Sequence, residues 1–127
     1  MKNIYKIRQD FDLPACIKEW GWEFHHLGIP TDKVMPGERY LPHLKFHVSG
    51  FASSPFEIEW MRFDKDCPVS DLIKSVPHIA FRVENIDTEL KKHDLVLLSE
   101  PGVPSGGVRT VMIRHNGAPI ELIEFQD

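Results

Sequence analysis

One pattern occurs twice in the chain, with its parts in the same order each time. Residues 26–29 (His-Leu-Gly-Ile) share the form of residues 78–81 (His-Ile-Ala-Phe): a histidine, an apolar residue, a small residue and an apolar residue. Residues 58–63 (Ile-Glu-Trp-Met-Arg-Phe) share the form of residues 120–125 (Ile-Glu-Leu-Ile-Glu-Phe). A histidine segment followed by a glutamate segment, repeated, indicates an internal duplication. We therefore expect residues 1–127 to form one domain built from two similar modules.

The second module, residues 76–127, has the clearer secondary-structure pattern. It predicts a strand over 77–84, a short helix over 85–93 capped by Asn85 or Asp87, and strands at about 95–99, 108–114 and 119–125. Asn116 and Gly117 separate the last two strands and predict a tight hairpin. The glycine-containing segment 101–108 lacks the ending of a P-loop and is expected to be a surface loop or a lid. The order of elements is βαβββ.

The first module, residues 22–64, repeats this order with fewer elements. Strands are expected over 22–30, 44–49 and 56–63, and the module's helix and second strand are not evident. Residues 64–75 form a polar connector with a helical turn at 70–74. Residues 1–21 form an N-terminal extension, in which Asp12 caps a helix that has Pro14 in its first turn and ends at Gly21.

Each of the two glutamates of the repeat has apolar neighbours on the same face of its strand. Because side chains alternate between the faces of a strand, Glu121 shares its face with Ile123 and Phe125, and Glu59 shares its face with Met61 and Phe63. Burying an unpaired carboxylate costs several kcal/mol, so something must compensate its charge. A divalent cation would do so.

The two histidines complete a set of four donors. His26 shares its face with Gly28, and His78 shares its face with Ala80, which leaves room beside each imidazole. Two imidazoles and two carboxylates form a site suited to Zn, Ni, Co, Mn or Fe(II). For each residue alone, a structural histidine or a glutamate at a solvated edge is the alternative, and the repeated order favours the metal site.

Composition excludes some classes of partner. The net charge of −4 and the pI of about 5.9 leave no basic surface for nucleic acid. No apolar run approaches a membrane span and the N-terminus lacks a signal-peptide core, so we expect a cytoplasmic location. Cys16 and Cys67 are far apart in sequence and are expected to be reduced thiols.

The chain resembles the vicinal oxygen chelate superfamily, which includes glyoxalase I, methylmalonyl-CoA epimerase, extradiol dioxygenases and bleomycin resistance proteins. The resemblance is carried by residues 24–29 (Phe-His-His-Leu-Gly-Ile), 57–61 (Glu-Ile-Glu-Trp-Met), 77–87 (Pro-His-Ile-Ala-Phe-Arg-Val-Glu-Asn-Ile-Asp) and 119–123 (Pro-Ile-Glu-Leu-Ile). It implies an α+β fold in which two βαβββ modules, the first one shortened, form a cup-shaped and mostly antiparallel sheet. It also implies that two copies of the chain form a homodimer.

By motif position, the resemblance implies four metal ligands: His26, Glu59, His78 and Glu121. It implies a lyase or isomerase of the glyoxalase or epimerase type, acting on a small α-oxygenated carbonyl compound or thioester through an enediolate or enolate. Glu121 or Glu59 would move the proton. Two other classes are a non-catalytic module that binds a small molecule, and a non-haem iron dioxygenase, which does not need a ligand at Glu59.

Two features of the first module bear on this interpretation. The span from His26 to Glu59 is 33 residues, against 43 from His78 to Glu121, so about ten residues are absent from the first module. His25 competes with His26 as a ligand, and the register of residues 27–29 favours His26. His47 and the arginines at 82, 109 and 114 are further polar candidates, for which a surface position is the alternative.

Overall fold

The computed structural model describes residues 9–126, in which nine strands form one sheet. The strands are β1 (Glu23–Pro30), β2 (Arg39–Leu41), β3 (Phe46–Ser49), β4 (Ile58–Phe63), β5 (His78–Arg82), β6 (Val96–Leu97), β7 (Gly102–Ser105), β8 (Val108–His115) and β9 (Ala118–Phe125). The helices are α1 (Ala15–Lys18), α2 (Asp71–Ser75) and α3 (Ile86–His93). No helix of residues 9–126 is long and apolar enough to cross a membrane.

The strand order places the two halves of the chain side by side about a central strand pair. The order is β2-β3-β4-β1-β5-β9-β8-β6, and β7 pairs with β8. β1 and β5 are antiparallel to each other, while β4 runs parallel to β1 and β9 runs parallel to β5. The remaining pairs are antiparallel. The predicted fold class, an α+β protein with a mostly antiparallel sheet, is confirmed.

The shortened first module keeps its second strand, contrary to the prediction. β2 pairs with β3 as β6 pairs with β8, so the strand is short but present. The helix is absent: residues 31–38 join β1 to β2 through turns, where residues 83–95 of the second module contain α3. The three residues of β2 are too few for an alternating pattern to reveal a strand.

The segment 101–108, expected to be a surface loop, contains a strand. β7 pairs with the long β8, with Gly102 opposite Thr110 and Ser105 opposite Val108. Glycine and proline disfavour strands, so local propensity gives no signal here. The neighbouring strand supplies the backbone partners, which is a tertiary effect that the local sequence does not report.

The helix of the N-terminal extension is shorter than predicted. α1 spans four residues, and Pro14 stands at its N-cap position without a side-chain cap bond. The Asp12 carboxylate accepts a hydrogen bond from the backbone N–H of Gln9, so it closes the turn that precedes α1. Gly21, at φ +76°, turns the chain into buried Trp22. Residues 1–8 of the predicted extension lie outside the described residues.

Other local predictions agree with the structure. Asn85, rather than Asp87, caps α3, because its Oδ1 accepts the backbone N–H of Thr88. Asn116 and Gly117 both adopt positive φ, 49° and 78°, as a tight hairpin turn between β8 and β9 requires. The helical turn in the connector is α2, capped by Ser70.

The core lies on the face of the sheet that α3 covers. Its buried side chains come from β5, β8, β9 and α3 and from the residues that adjoin β1 and β5, and α1 packs against them: Trp22, Phe81, Val83, Ile86, Val111, Ile113 and Leu122. Alternation places Phe81 and Leu122 on this face and places Ala80 and Glu121 on the other. The histidine and glutamate side chains of the repeat therefore project to the face opposite α3.

Candidate metal centre

The four predicted side chains occupy two rows that cross the middle of the sheet. In the first row, Gly28 of β1 pairs with Glu59 of β4 on one side and with His78 of β5 on the other. In the second row, Ala80 pairs with His26 of β1 and with Glu121 of β9. Each row has a small residue at its centre, flanked by an imidazole and a carboxylate.

Each imidazole therefore lies beside the small residue of the other module. The sequence pattern assigned the space beside His78 to Ala80, two residues along the same strand. The structure assigns it to Gly28: a Cβ added there would lie 2.1 Å from Cε1 of His78, 2.6 Å from Nδ1 and 2.7 Å from Nε2. The imidazole occupies the volume that any other residue at position 28 would need.

The ring nitrogens and carboxylate oxygens converge on one point. Nε2 of His26 lies 3.2 Å from Oε1 of Glu121, and Nε2 of His78 lies 3.4 Å from the same atom. Ligand atoms of these three residues all lie within 4.8 Å of one another. Oε1 of Glu59 lies farther out, 3.8 Å from Nε2 of His26. The structure thus brings all four predicted residues together, with Glu59 at the margin of a tighter group of three.

Three nitrogens of this group, Nε2 of His26 and both ring nitrogens of His78, have unmet hydrogen-bonding capacity. His26 and His78 are 5% and 4% exposed, and Nε2 of each has no hydrogen-bond partner within residues 9–126. Buried polar atoms are nearly always satisfied, so two unpaired Nε2 atoms within 3.4 Å of one carboxylate oxygen require an explanation. A divalent cation bound between them would use both lone pairs and neutralise the carboxylate. The residues present fit such an ion.

Electrostatics distinguish the two carboxylates. Burial works to raise the pKa of Glu121, but the contacts with His26 and His78 outweigh it and hold that pKa well below 4.5. Burial, the dominant influence on Glu59, raises its pKa despite the nearby histidines. Burial works to lower the pKa of His26, and the contact with Glu121 reverses the direction and raises it. Glu121 is therefore held in its ionised form, whereas the pKa of Glu59 lies above its ordinary value.

His25 contacts the centre from outside it. Its Nδ1 lies 2.8 Å from Nδ1 of His26, and its ring stacks on Phe51 with centroids 5.1 Å apart. Burial and the neighbouring His26 lower the pKa of His25. The structure places His26, and not His25, opposite the two carboxylates, in agreement with the sequence register.

Two open cavities flank the four side chains. The larger, of about 500 Å³, is reached by Glu59, His78 and Glu121. Its wall comes from both modules, α2 and the strands β7 and β8, and is mostly apolar: Leu44, Phe46, Met61, Val69, Ile73, Leu98, Val103 and Met112. The smaller, of about 260 Å³, is reached by His26, Glu59 and Glu121. Both carboxylates therefore border both cavities.

The cavity lining includes one arginine that the sequence did not single out. Arg39, the first residue of β2, lines the smaller cavity. Its positive charge works to lower the pKa of Glu59. The three arginines that are candidates from the sequence line neither cavity: Arg82 approaches Glu23, Arg109 pairs with Asp87, and Arg114 is exposed at the end of β8. Because β2 itself was not predicted, no signal in the sequence placed Arg39 near the site.

His47 also lies away from the centre. Its ring packs against Tyr40 with centroids 4.6 Å apart, and it lines neither of the two cavities. Strand alternation explains the difference, because His47 pairs with Tyr40 and Arg62, whereas the cavity side of β3 carries Phe46 and Val48.

Comparison with solved structures identifies the architecture. A hypothetical protein, BH1468 from Bacillus halodurans C-125, matches 84% of this chain and 96% of its own length, with a TM-score of 0.63 and 17% identity. Methylmalonyl-CoA epimerase from Mycobacterium tuberculosis matches 83% of this chain and 89% of its own length, with a TM-score of 0.59 and 19% identity. The chain has the vicinal oxygen chelate fold. No family model and no curated protein sequence matches it.

The arrangement of the sheet explains why the rows contain equivalent residues from both modules. The first strands of the two modules, β1 and β5, pair at the centre of the sheet. The modules thereby contribute one imidazole and one carboxylate each to a shared site. The predicted resemblance in fold is confirmed.

Proposed function

We propose that the protein is a metal-dependent lyase or isomerase of the glyoxalase or epimerase type, acting on a small α-oxygenated carbonyl compound or thioester. The observation that carries the proposal is the pair of buried Nε2 atoms, without hydrogen-bond partners, beside the ionised Glu121. The similarity in fold to an epimerase supports it. The ligands would be His26, Glu59, His78 and Glu121.

The cation would supply Lewis-acid stabilisation of the negative charge that develops on the substrate oxygen. Glu59 is the better candidate for moving the proton. It lies outside the group of three, borders both cavities, and has a pKa raised by burial. A base is most effective when its pKa lies near the working pH, and Glu121 is held too acidic for that role. Glu121 would orient and neutralise the centre while Glu59 takes the proton from carbon.

The cavities support a small organic substrate. A volume of about 500 Å³ is in the range of pockets that enclose small molecules, and apolar walls exclude water from a developing enolate. A cytoplasmic location and a homodimer remain predictions from the sequence and its resemblance.

The first experiment measures the metal content of tag-free protein by elemental mass spectrometry, before and after reconstitution with Zn, Ni, Co, Mn and Fe(II). About one ion per chain is expected, and His78→Ala and Glu121→Ala should lose it. His47→Ala is the matched control, because that histidine lines neither cavity and should leave the metal content unchanged. Absence of metal under all these conditions would overturn the proposal and favour a non-catalytic binding module.

The second experiment follows proton transfer in D₂O on keto-acids, hemithioacetals and acyl thioesters. Deuterium should enter at the carbon next to the carbonyl group, and Glu59→Gln should slow this exchange by about 10²-fold or more. Glu59→Gln should retain most of its metal, because the three residues of the tighter group remain. Exchange by Glu59→Gln at the wild-type rate would show that Glu59 is not the base.

One observation favours a second candidate. The tighter group of His26, His78 and Glu121 is a two-histidine, one-carboxylate set, which is typical of non-haem iron(II) oxygenases. Oxygen consumption with Fe(II) and aromatic diols, unaffected by Glu59→Gln, would support a dioxygenase. Loss of every activity in Glu59→Gln would oppose it.

A further inference from the structure

A β-bulge on the central strand gives His25 an unusual position. Phe24 pairs with Phe81 and His26 pairs with Ala80. Phe81 and Ala80 are consecutive on β5, so β1 contains one additional residue at this point, which is His25. Consecutive residues of a regular strand face opposite sides, whereas a bulge redirects a side chain. Here it lets His25 and His26 line the same cavity, with their Nδ1 atoms 2.8 Å apart.

The contact between the two rings accommodates a single proton. One Nδ1 must donate and the other must accept, because two N–H groups would repel and two lone pairs would leave the contact without a bond. On the opposite side of the His26 ring, Nε2 has no acceptor in line for a proton within the described chain, although Glu121 is 3.2 Å away. A neutral His26 ring therefore gains an aligned hydrogen bond by carrying its proton on Nδ1, whereas a proton on Nε2 would gain only the attraction of the Glu121 carboxylate, which lies off the N–H direction.

From this geometry we propose that His25 is a positioning residue for the metal centre. Its Nδ1 accepts the Nδ1–H of His26, which fixes the tautomer and the orientation of the His26 ring and leaves the Nε2 lone pair directed at the site. His25 is not itself a ligand. The inference rests on the proposed function, because the hydrogen bond from His26 to His25 prepares His26 to bind a cation. Partners of this kind are worth about 10- to 100-fold in metal affinity in other proteins.

Three substitutions separate the hydrogen bond from the packing. His25→Ala removes both the acceptor and the ring that stacks on Phe51. His25→Phe keeps an aromatic ring for that stacking and removes the acceptor. His25→Asn removes the ring and restores an acceptor, because Oδ1 of asparagine occupies the place of Nδ1. Metal affinity is measured by competition with a chelator, and the stability of the metal-free variants by urea denaturation.

If the proposal is correct, His25→Ala and His25→Phe bind metal about 10- to 100-fold more weakly than the wild type, and His25→Asn recovers most of the loss. Wild-type affinity in His25→Phe would overturn it, because stacking would then account for the role of the ring. Equal losses in all three variants would also overturn it.

A second readout does not depend on the metal. Long-range ¹⁵N–¹H spectra of metal-free protein, at a pH where both rings are neutral, report which nitrogen of each histidine carries the proton. We expect Nδ1–H for His26 and Nε2–H for His25, and we expect the His26 assignment to persist in His25→Asn and to be lost in His25→Phe. Nε2–H on His26 in the wild type would refute the positioning role. A wild-type protein that shows the expected tautomers and binds no metal would refute the proposed function alone.

Discussion

Substitution of Gly28 by alanine tests the packing of the centre directly. The added Cβ would lie 2.1 Å from Cε1 of His78, whereas ordinary contacts begin at 3.4 Å, so the ring must move by about 1.3 Å, the difference between the two. His78 is 4% exposed, and the open space that its ring borders is the larger cavity. Overpacking of this kind costs about 1–3 kcal/mol in the free energy of unfolding. The same movement withdraws Nε2 from Glu121, so metal affinity should fall by at least about tenfold.

Urea denaturation of metal-free protein and chelator competition measure these two effects separately. Gly106→Ala is the control, because a Cβ at that position meets nothing within 4 Å. In a His78→Ala background the obstructing ring is gone, and Gly28→Ala should then cost little stability. If Gly28→Ala leaves stability and metal affinity unchanged, or costs as much without the ring as with it, the collision with His78 is not what requires glycine there.

Three further substitutions test the surrounding fold. Trp22→Phe removes the indole N–H that donates to the buried Glu89 carboxylate and should lower the free energy of unfolding by about 1–3 kcal/mol in urea denaturation. Two hydrogen bonds from Arg62 lower the pKa of Glu38 from 4.5 to about 2. The stability advantage of the wild type over Glu38→Gln should therefore be complete above pH 4.5 and disappear as the pH falls toward 2, which acid-range urea titrations will show. Asn85→Ala removes the α3 cap and should cost about 1 kcal/mol by thermal denaturation.

The four candidate ligands were predictable because each lies in a strand long enough to show alternation. Glu59 and Glu121 occupy equivalent positions in two six-residue repeats, and the repeat also fixed the order of the two histidines. Alternation then placed each glutamate among apolar neighbours and each histidine on the same face as a small residue. Pairing between strands was not predictable in this way, and therefore the role of Gly28 opposite His78 became evident only from the β1–β5 register.

The features that the sequence missed depend on neighbouring elements rather than on local pattern. β7 contains glycine and proline, and it forms a strand because its backbone pairs with that of β8. β2 is three residues long, and with it Arg39 went unnoticed as part of the cavity wall. The bulge that redirects His25 is a property of two paired strands. Simple alternation along β1 would place the His25 side chain on the face opposite His26.

The two imidazoles are equivalent by duplication but are held by different means. His26 has a partner at Nδ1 in His25, while neither nitrogen of His78 has a hydrogen-bond partner in the described chain. The orientation of the His78 ring must therefore come from packing, and the close approach of Gly28 is the contact that restricts it. The bulge occurs on β1 and not on β5, so the second module has no residue equivalent to His25. Substitution of His25 should consequently disturb His26 alone, and substitution of Gly28 should disturb His78 alone, although both lie on the same strand.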